Sequence, residues 1–206
     1  MVVIAVAFLA GAVPFSQIAA RLTRGVDLRS VGPGTVSGSS LYRVAGIGPL
    51  AAAGILDVAK GAVGPVLAGP DRSSLSAVAG GAAVSGHNWS PFLGGAGGRG
   101  IAPALGALLV RCWPGTAVLA GGLLGGRLAG ATAAGCLLSY LGLVPVLGRF
   151  RGRPGRLAGV AIVVPIVIKR LVGNQLPERW SMELVWSRLV HDRDVVTADP
   201  GAGVRP

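Results

Sequence analysis

Seven apolar stretches recur along this chain and leave little room for a water-soluble design: Val2 to Leu22, Ile47 to Ala68, Leu75 to Trp89, Ile101 to Val110, Gly115 to Leu124, Ala131 to Leu147 and Leu157 to Val172. A helix needs about 20 apolar residues to cross roughly 30 Å of hydrocarbon. Backbone N–H and C=O groups find no water there, so a single segment can cross only as a helix. The stretches therefore predict an all-α integral membrane protein with seven transmembrane helices. The count falls to six if the fourth and fifth stretches form one helix broken around Cys112, Trp113 and Pro114. Composition agrees, with 51% hydrophobic residues, 13% charged residues and a mean hydropathy of +0.65. The first stretch has no basic n-region and no small-residue cleavage site, so it is expected as a retained span. Residues 1–190 are expected to form one polytopic membrane domain, and residues 191–206, with Pro200, Gly201, Gly203 and Pro206, a disordered cytoplasmic tail.

Charge sets the orientation. With the N-terminus outside, the loops that begin at Thr23, Trp89 and Gly125 and the C-terminal tail face the cytoplasm, and they hold most of the 19 Lys and Arg residues. The positive-inside rule favours this arrangement. The cluster Arg149, Arg151, Arg153 and Arg156 runs against it, because it falls on the outer side. A net charge of +11 would suggest nucleic acid in a soluble protein. Here the arginines are spread between apolar runs without interleaved aromatic residues, so anionic headgroups suit them better and no nucleic-acid partner is expected. Cys112 and Cys136 lie in or beside apolar segments without metal-ligand spacing, so no metal and no organic cofactor is expected.

The stretch Gly86 to Gly106, GHNWSPFLGGAGGRGIAPALG, carries the strongest chemical signal. Gly94, Gly95, Gly97, Gly98 and Gly100 lack a Cβ, can take positive φ and can turn several backbone N–H groups toward one anion. Arg99 adds a fork of donors, and the loop feeds a helix beginning at Ile101, whose N-terminus also favours negative charge. A flexible linker between two spans would share this composition. His87 closes the third span beside the loop, as a base for a hydroxyl or as a structural hydrogen-bonding residue. The loop between the first two spans, GVDLRSVGPGTVSGSSLYRVAG, gathers Gly32, Gly34, Gly38, the hydroxyls of Thr35, Ser37, Ser39 and Ser40, and then Arg43, a set that suits phosphate oxygens.

Asp57 and Lys60 stand at i and i+3 within the second span, so they share a face and can pair. An ionisable group at the bilayer centre costs about 2.5–3.5 kcal/mol on insertion scales, and each needs a partner or a polar cavity. Two readings stay open for Lys60: a pair that locks packing, or a cation that also faces an anionic ligand.

The ordered set GAVPFSQIAARL, GVDLRSVGPG, SSLYRVAG, LDVAKGAVGPV and GHNWSPFLGGAGGRG resembles the bacterial acyl-phosphate:glycerol-3-phosphate acyltransferase family of integral membrane enzymes. The match runs from about Gly11 to Gly106, with a further element around Ile168 to Gln175. The resemblance implies a seven-span inner-membrane enzyme with its N-terminus outside. It further implies transfer of an acyl group from acyl phosphate to the 1-hydroxyl of glycerol 3-phosphate, giving lysophosphatidic acid without acyl-CoA or acyl carrier protein. The chain departs from the family pattern at Pro33, Thr35, Ser39 and Ser40 in the first loop, and at Gly95, Ala96 and Arg99 in the second. Val167 holds an asparagine position, and no glutamate falls in register after Leu171, Glu178 being the nearest. The expected catalytic residues are His87, Arg43 and Arg99. The expected substrate-binding residues are Gly32, Gly34, Ser39, Ser40, Lys60, Gly95, Gly97, Gly98 and Gly100. A second reading, in view of the departures, is a catalytically silent relative that binds lipid or acyl phosphate.

Overall fold

The structure, a computed structural model, describes residues 1–191 except Pro33, Gln175 and Glu178. Residues 192–206, where the tail is expected, lie outside the described residues, as do the Pro33 and Glu178 positions. Every regular element among the described residues is a helix, and none is a strand.

The first apolar stretch is not one straight helix. It forms α1 (Val2–Ala12) and α2 (Phe15–Arg24), which part at Val13 and Pro14. Proline has no N–H to donate and pushes the residue before it toward extended backbone, and Val13 sits at φ −58°, ψ 119°. The break frees two carbonyls for other parts of the chain. Ala12 O accepts from Ser90 Oγ at 2.7 Å, and Val13 O accepts from Lys60 Nζ at 2.6 Å. α2 is amphipathic, burying Ser16, Gln17 and Ala20. Its hydrophobic face joins Leu28, Val36, Leu41 and Leu93 in a small core beneath the loops.

The remaining elements are α3 (Gly38–Ala45), α4 (Ile47–Ala68), α5 (Ser73–Asn88), α6 (Ile101–Arg111), α7 (Trp113–Leu128), α8 (Thr132–Val172) and α9 (Met182–Trp186). α5 packs against α1, α4, α6 and α8 and so lies at the centre of the bundle. Its small residues permit this. A methyl added at Gly86 would collide with the carbonyl of Phe8, and one at Gly81 would press into Ala161. Close backbone approach of this kind is how helices associate where no hydrophobic effect drives them together. A larger core of Val84, Leu108, Leu119, Leu143, Leu147, Ile162 and Ile166 ties α5, α6, α7 and α8.

The break at Cys112 (φ −157°, ψ 77°) separates α6 from α7, so the fourth and fifth stretches are two helices. α8 spans the sixth and seventh stretches but reverses at Gly152, whose φ of 59° and ψ of −139° are not helical. Its two halves run back along each other: Gly155 lies against Leu147, Gly159 against Val144, and Arg170 donates to Ala133 O at 3.0 Å. Chain reversals therefore sort to two ends of the bundle. Residues 25–46, 89–100 and the C-terminus of α8 lie at one end. The turns near Pro70, Cys112 and Gly152 lie at the other, where they line a common cavity.

Two stretches, Val2–Arg24 taken together and α4, are long and apolar enough to cross a bilayer by length and hydropathy. α6, at 11 residues, is only about 16 Å long. Large apolar side chains such as Leu9, Ile55, Val66, Leu109, Leu138 and Leu141 are exposed on the bundle surface, the pattern of a lipid-facing wall.

Candidate active site

At the loop end, the bend at Pro14 lets α1 and α2 close over a polar cluster held by α4 and α5. Lys60 Nζ lies 2.6 Å from Asp57 Oδ1, and Ser16 Oγ donates to Asp57 Oδ2 at 3.2 Å. Lys60 also sits 5.6 Å from the centre of the Phe15 ring, within cation–π range. The predicted i, i+3 pair is therefore present, and its cation also donates to Val13 O. Lys60 is buried, and the structure gives it a bridging role between α4 and the α1–α2 break.

His87 occupies the last turn of α5. Its Nδ1 is 3.9 Å from Asp57 Oδ1, in ion-pair range but beyond hydrogen-bond length. Its other nitrogen, Nε2, faces Gly98, where an added methyl would collide with it. Ser16, Asp57, Lys60, His87, Ser90, Gly97 and Gly98 line one small cavity of about 10 Å³, with room for about one water.

The two loops are stitched together above this cavity. Val36 N donates to Gly97 O at 3.2 Å. Asn174, just past the end of α8, accepts from Gly97 N at 3.0 Å and donates to Gly97 O at 3.1 Å and to Gly34 O at 2.9 Å. This asparagine lies within the element around Ile168 to Gln175 but is not singled out there, and its partners lie 77 and 140 residues away. Lys169, also not singled out in the sequence, is buried on α8, with Nζ 3.5 Å from Gly95 O and 5.5 Å from the Trp89 ring.

The structure redirects the expectation that the glycine loop turns its N–H groups toward an anion. Gly94, Gly95 and Gly100 do take positive φ, whereas Gly97 and Gly98 do not. The N–H groups of Gly94, Gly95, Gly97 and Gly98 are bonded to Pro91 O, Ser90 O, Asn174 Oδ1 and His87 O. Gly97 and Gly98 are needed for closeness: a side chain at Gly97 would collide with the carbonyls that end α5. The loop is thus a cap on the C-terminus of α5, where carbonyls have no helical partner.

Arg43 lies exposed on α3, while Arg99 is half-buried and donates to Lys169 O at 3.2 Å near the C-terminus of α8. Neither lines the small cavity. In the first loop Ser40 is buried and pairs with Ser37 Oγ at 3.2 Å, Ser39 and Gly32 are exposed, and Gly34 is buried at φ 67°. Asp27 anchors the same loop. It pairs with Arg29 at 2.7 Å and Arg21 at 2.9 Å, and it accepts from Arg29 N to cap the turn Leu28–Ser30. The hydrogen bond from the Arg29 side chain holds its carboxyl well below the usual carboxylate range.

The glycerol-3-phosphate acyltransferase family model matches residues 1–174. The chain belongs to this family. Among its relatives, glycerol-3-phosphate acyltransferase 5 of Dehalococcoides mccartyi is 33% identical over 200 residues, covering 91% of this chain and 86% of the relative. The glycerol-3-phosphate acyltransferase of Gluconobacter oxydans is 34% identical over 155 residues, covering 72% of this chain and 73% of its own length. The bundle also resembles the crystal structure of PlsY (YgiH), an integral membrane glycerol 3-phosphate acyltransferase, in its glycerol 3-phosphate form. That likeness has a TM-score of 0.73 at 22% identity, over 90% of this chain and 98% of PlsY. The lysophosphatidic acid form of PlsY gives a TM-score of 0.70 at 20% identity, over 89% and 96% of the two chains. The fold is therefore that of an integral membrane acyltransferase. None of these findings favours the silent, lipid-binding reading.

Proposed function

We propose that the protein transfers a fatty acyl group from an acyl phosphate to the 1-hydroxyl of glycerol 3-phosphate, releasing lysophosphatidic acid and inorganic phosphate. The observation that carries the site assignment is the placement of His87 between Asp57 and the second glycine loop, beside a small cavity that Ser16, Lys60, Ser90 and Gly98 also line. With Nδ1 on the Asp57 side, Nε2 is the nitrogen that faces the second loop and serves as the acceptor in this reading.

In this reading the glycerol oxygen bonds to the acyl carbon as the acyl C–O bond to phosphate breaks. The hydroxyl proton passes to His87 Nε2 and then to the departing phosphate. Both reactants are anions, so their mutual repulsion must be offset. Arg43, exposed on α3, and Arg99, within the second loop, supply that charge from outside the small cavity, with Gly32, Gly34, Ser39, Ser40, Gly95, Gly97, Gly98 and Gly100 shaping the approach. Lys60 acts one layer deeper, keeping the Asp57 charge compensated. Orientation of two bound reactants supplies roughly 7–11 kcal/mol of the barrier reduction, so the residues serve mainly to position. We place the chain in a bacterial inner membrane with seven crossings, residues 1–24 counting as one bent crossing and each half of α8 as one. The N-terminus lies outside and the loop end faces the cytoplasm.

The test is phosphate release by the detergent-purified protein given glycerol 3-phosphate and acyl phosphate, with acyl-CoA as the alternative donor. Turnover is expected with acyl phosphate alone. His87→Gln should lower kcat by about 10²–10⁴-fold, and Arg43→Ala and Arg99→Ala should mainly raise KM. Undiminished turnover in His87→Gln removes the base assignment, and turnover with acyl-CoA removes the donor assignment.

A further inference from the structure

The end of the bundle opposite the glycine loops holds a much larger cavity, about 360 Å³, where the turns near Pro70, Cys112 and Gly152 meet. It falls in the size range of small-molecule sites. Two cations line it. Arg111, at the end of α6, spends its donors on neutral acceptors, Ser76 Oγ at 3.0 Å and the Pro65 carbonyl. Arg151, at the reversal of α8, is exposed and makes no ion pair among the described residues. No carboxylate lines the cavity, and the nearby Asp71 is not part of its wall. Apart from Ser73 and Ser76, the rest of the lining is apolar, with Val110, Leu108 and Ile162 among it.

We propose that this cavity binds the phosphate of an anionic phospholipid, with the guanidinium groups of Arg111 and Arg151 around the headgroup and the start of an acyl chain on the apolar lining. This site is separate from the proposed catalytic cavity and does not depend on it; it rests on the chain lying in a membrane. Two observations converge on it. Anionic headgroups attract basic side chains at a membrane surface, and no carboxylate lines this cavity to compete for them. Arg151 belongs to the arginine cluster 149–156 that runs against the positive-inside rule, and a headgroup phosphate in the cavity would neutralise it where it stands. An apolar lining beside two cations matches an amphiphile and has no use for a free inorganic ion.

The full chain, purified in detergent, is tested for thermal stability with added phosphatidylglycerol, phosphatidylcholine or inorganic phosphate. Phosphatidylglycerol is expected to raise Tm clearly, and the other two much less. Arg151→Gln should lose at least half of that rise and Arg151→Lys should recover most of it. Arg127→Gln, an exposed arginine on α7 away from the cavity, should keep the rise in full. A full response in Arg151→Gln overturns the site. An equal response to phosphatidylcholine overturns the requirement for an anionic lipid, and an equal response to inorganic phosphate overturns the lipid as occupant. Turnover with the substrates above serves as the check that Arg151→Gln is folded.

Discussion

Asn174 and Gly97 exchange a pair of hydrogen bonds, Gly97 N to Asn174 Oδ1 at 3.0 Å and Asn174 Nδ2 to Gly97 O at 3.1 Å, and the same amide reaches Gly34 O at 2.9 Å. One side chain thus fastens both glycine loops to the end of α8. Asn174→Ala removes all three bonds and strands backbone groups, at a cost of about 1–3 kcal/mol. Amide exchange should rise at residues 34–36 and 95–98 together, and Asn174→Asp, which keeps the acceptor but loses both donors, should fall between. Faster exchange in only one loop would show that the loops are fastened independently.

The ion pair between Asp57 and Lys60 makes a different prediction, because it is buried. Lys60→Met leaves the Asp57 carboxylate without its cation and Val13 O without its donor. Breaking one half of a buried pair costs about 3–5 kcal/mol, whereas replacing both halves is often near neutral. Thermal unfolding in detergent should therefore show a large loss for Lys60→Met, much of it recovered in Asp57→Asn/Lys60→Met. A double variant as unstable as the single one would mean that Lys60 matters through the Val13 carbonyl instead.

Where the sequence was legible, a strong local signal coincided with the element. The second apolar stretch has the same limits as α4, Ile47–Ala68, and the i, i+3 spacing of Asp57 and Lys60 gives the observed pair. The first stretch stands as one span by length and hydropathy, but hydropathy sums across Pro14 and so hides the break there, which gives its freed carbonyls to Lys60 and Ser90. The second loop misled for another reason. Glycine is required both for positive φ and for close backbone approach, and composition cannot separate Gly95, which takes positive φ, from Gly97, which fits under the α5 carbonyls. Asn174 falls within the family-like element around Ile168 to Gln175, but its bonding role exists only once residues 140 positions apart have met.

The same distinction among glycines can be tested on a single helix. In α4, a methyl at Gly61 would collide with the backbone of Pro103 on α6, while one at Gly54 meets nothing within 4 Å. Backbone cannot swing aside as a flexible side chain can, so Gly61→Ala must push α4 and α6 apart, at roughly 1–3 kcal/mol. Gly54→Ala only restricts the unfolded chain and favours helix. Tm should fall for Gly61→Ala and stay level or rise for Gly54→Ala. Equal Tm values for the two variants would contradict the tight α4–α6 contact.

Asp27 sets the pH behaviour of the first loop. Its carboxyl is held below the usual range, first by the hydrogen bond from the Arg29 side chain. A carboxylate with a depressed folded pKa contributes its stability in full above its unfolded pKa of about 3.9 and loses it as pH falls through the folded value. Between pH 8 and pH 5 the anchor should therefore be constant. Because both arginine partners are largely exposed, the pairs are salt-screened and modest in strength. After correction for intrinsic rates, amide protection at residues 28–31 should be flat across that range in the native protein. It should be lower at every pH in Asp27→Asn, which loses the charge but keeps the shape. Protection that declines from pH 8 to pH 5 in the native chain would show that another titrating group, rather than Asp27, holds this loop.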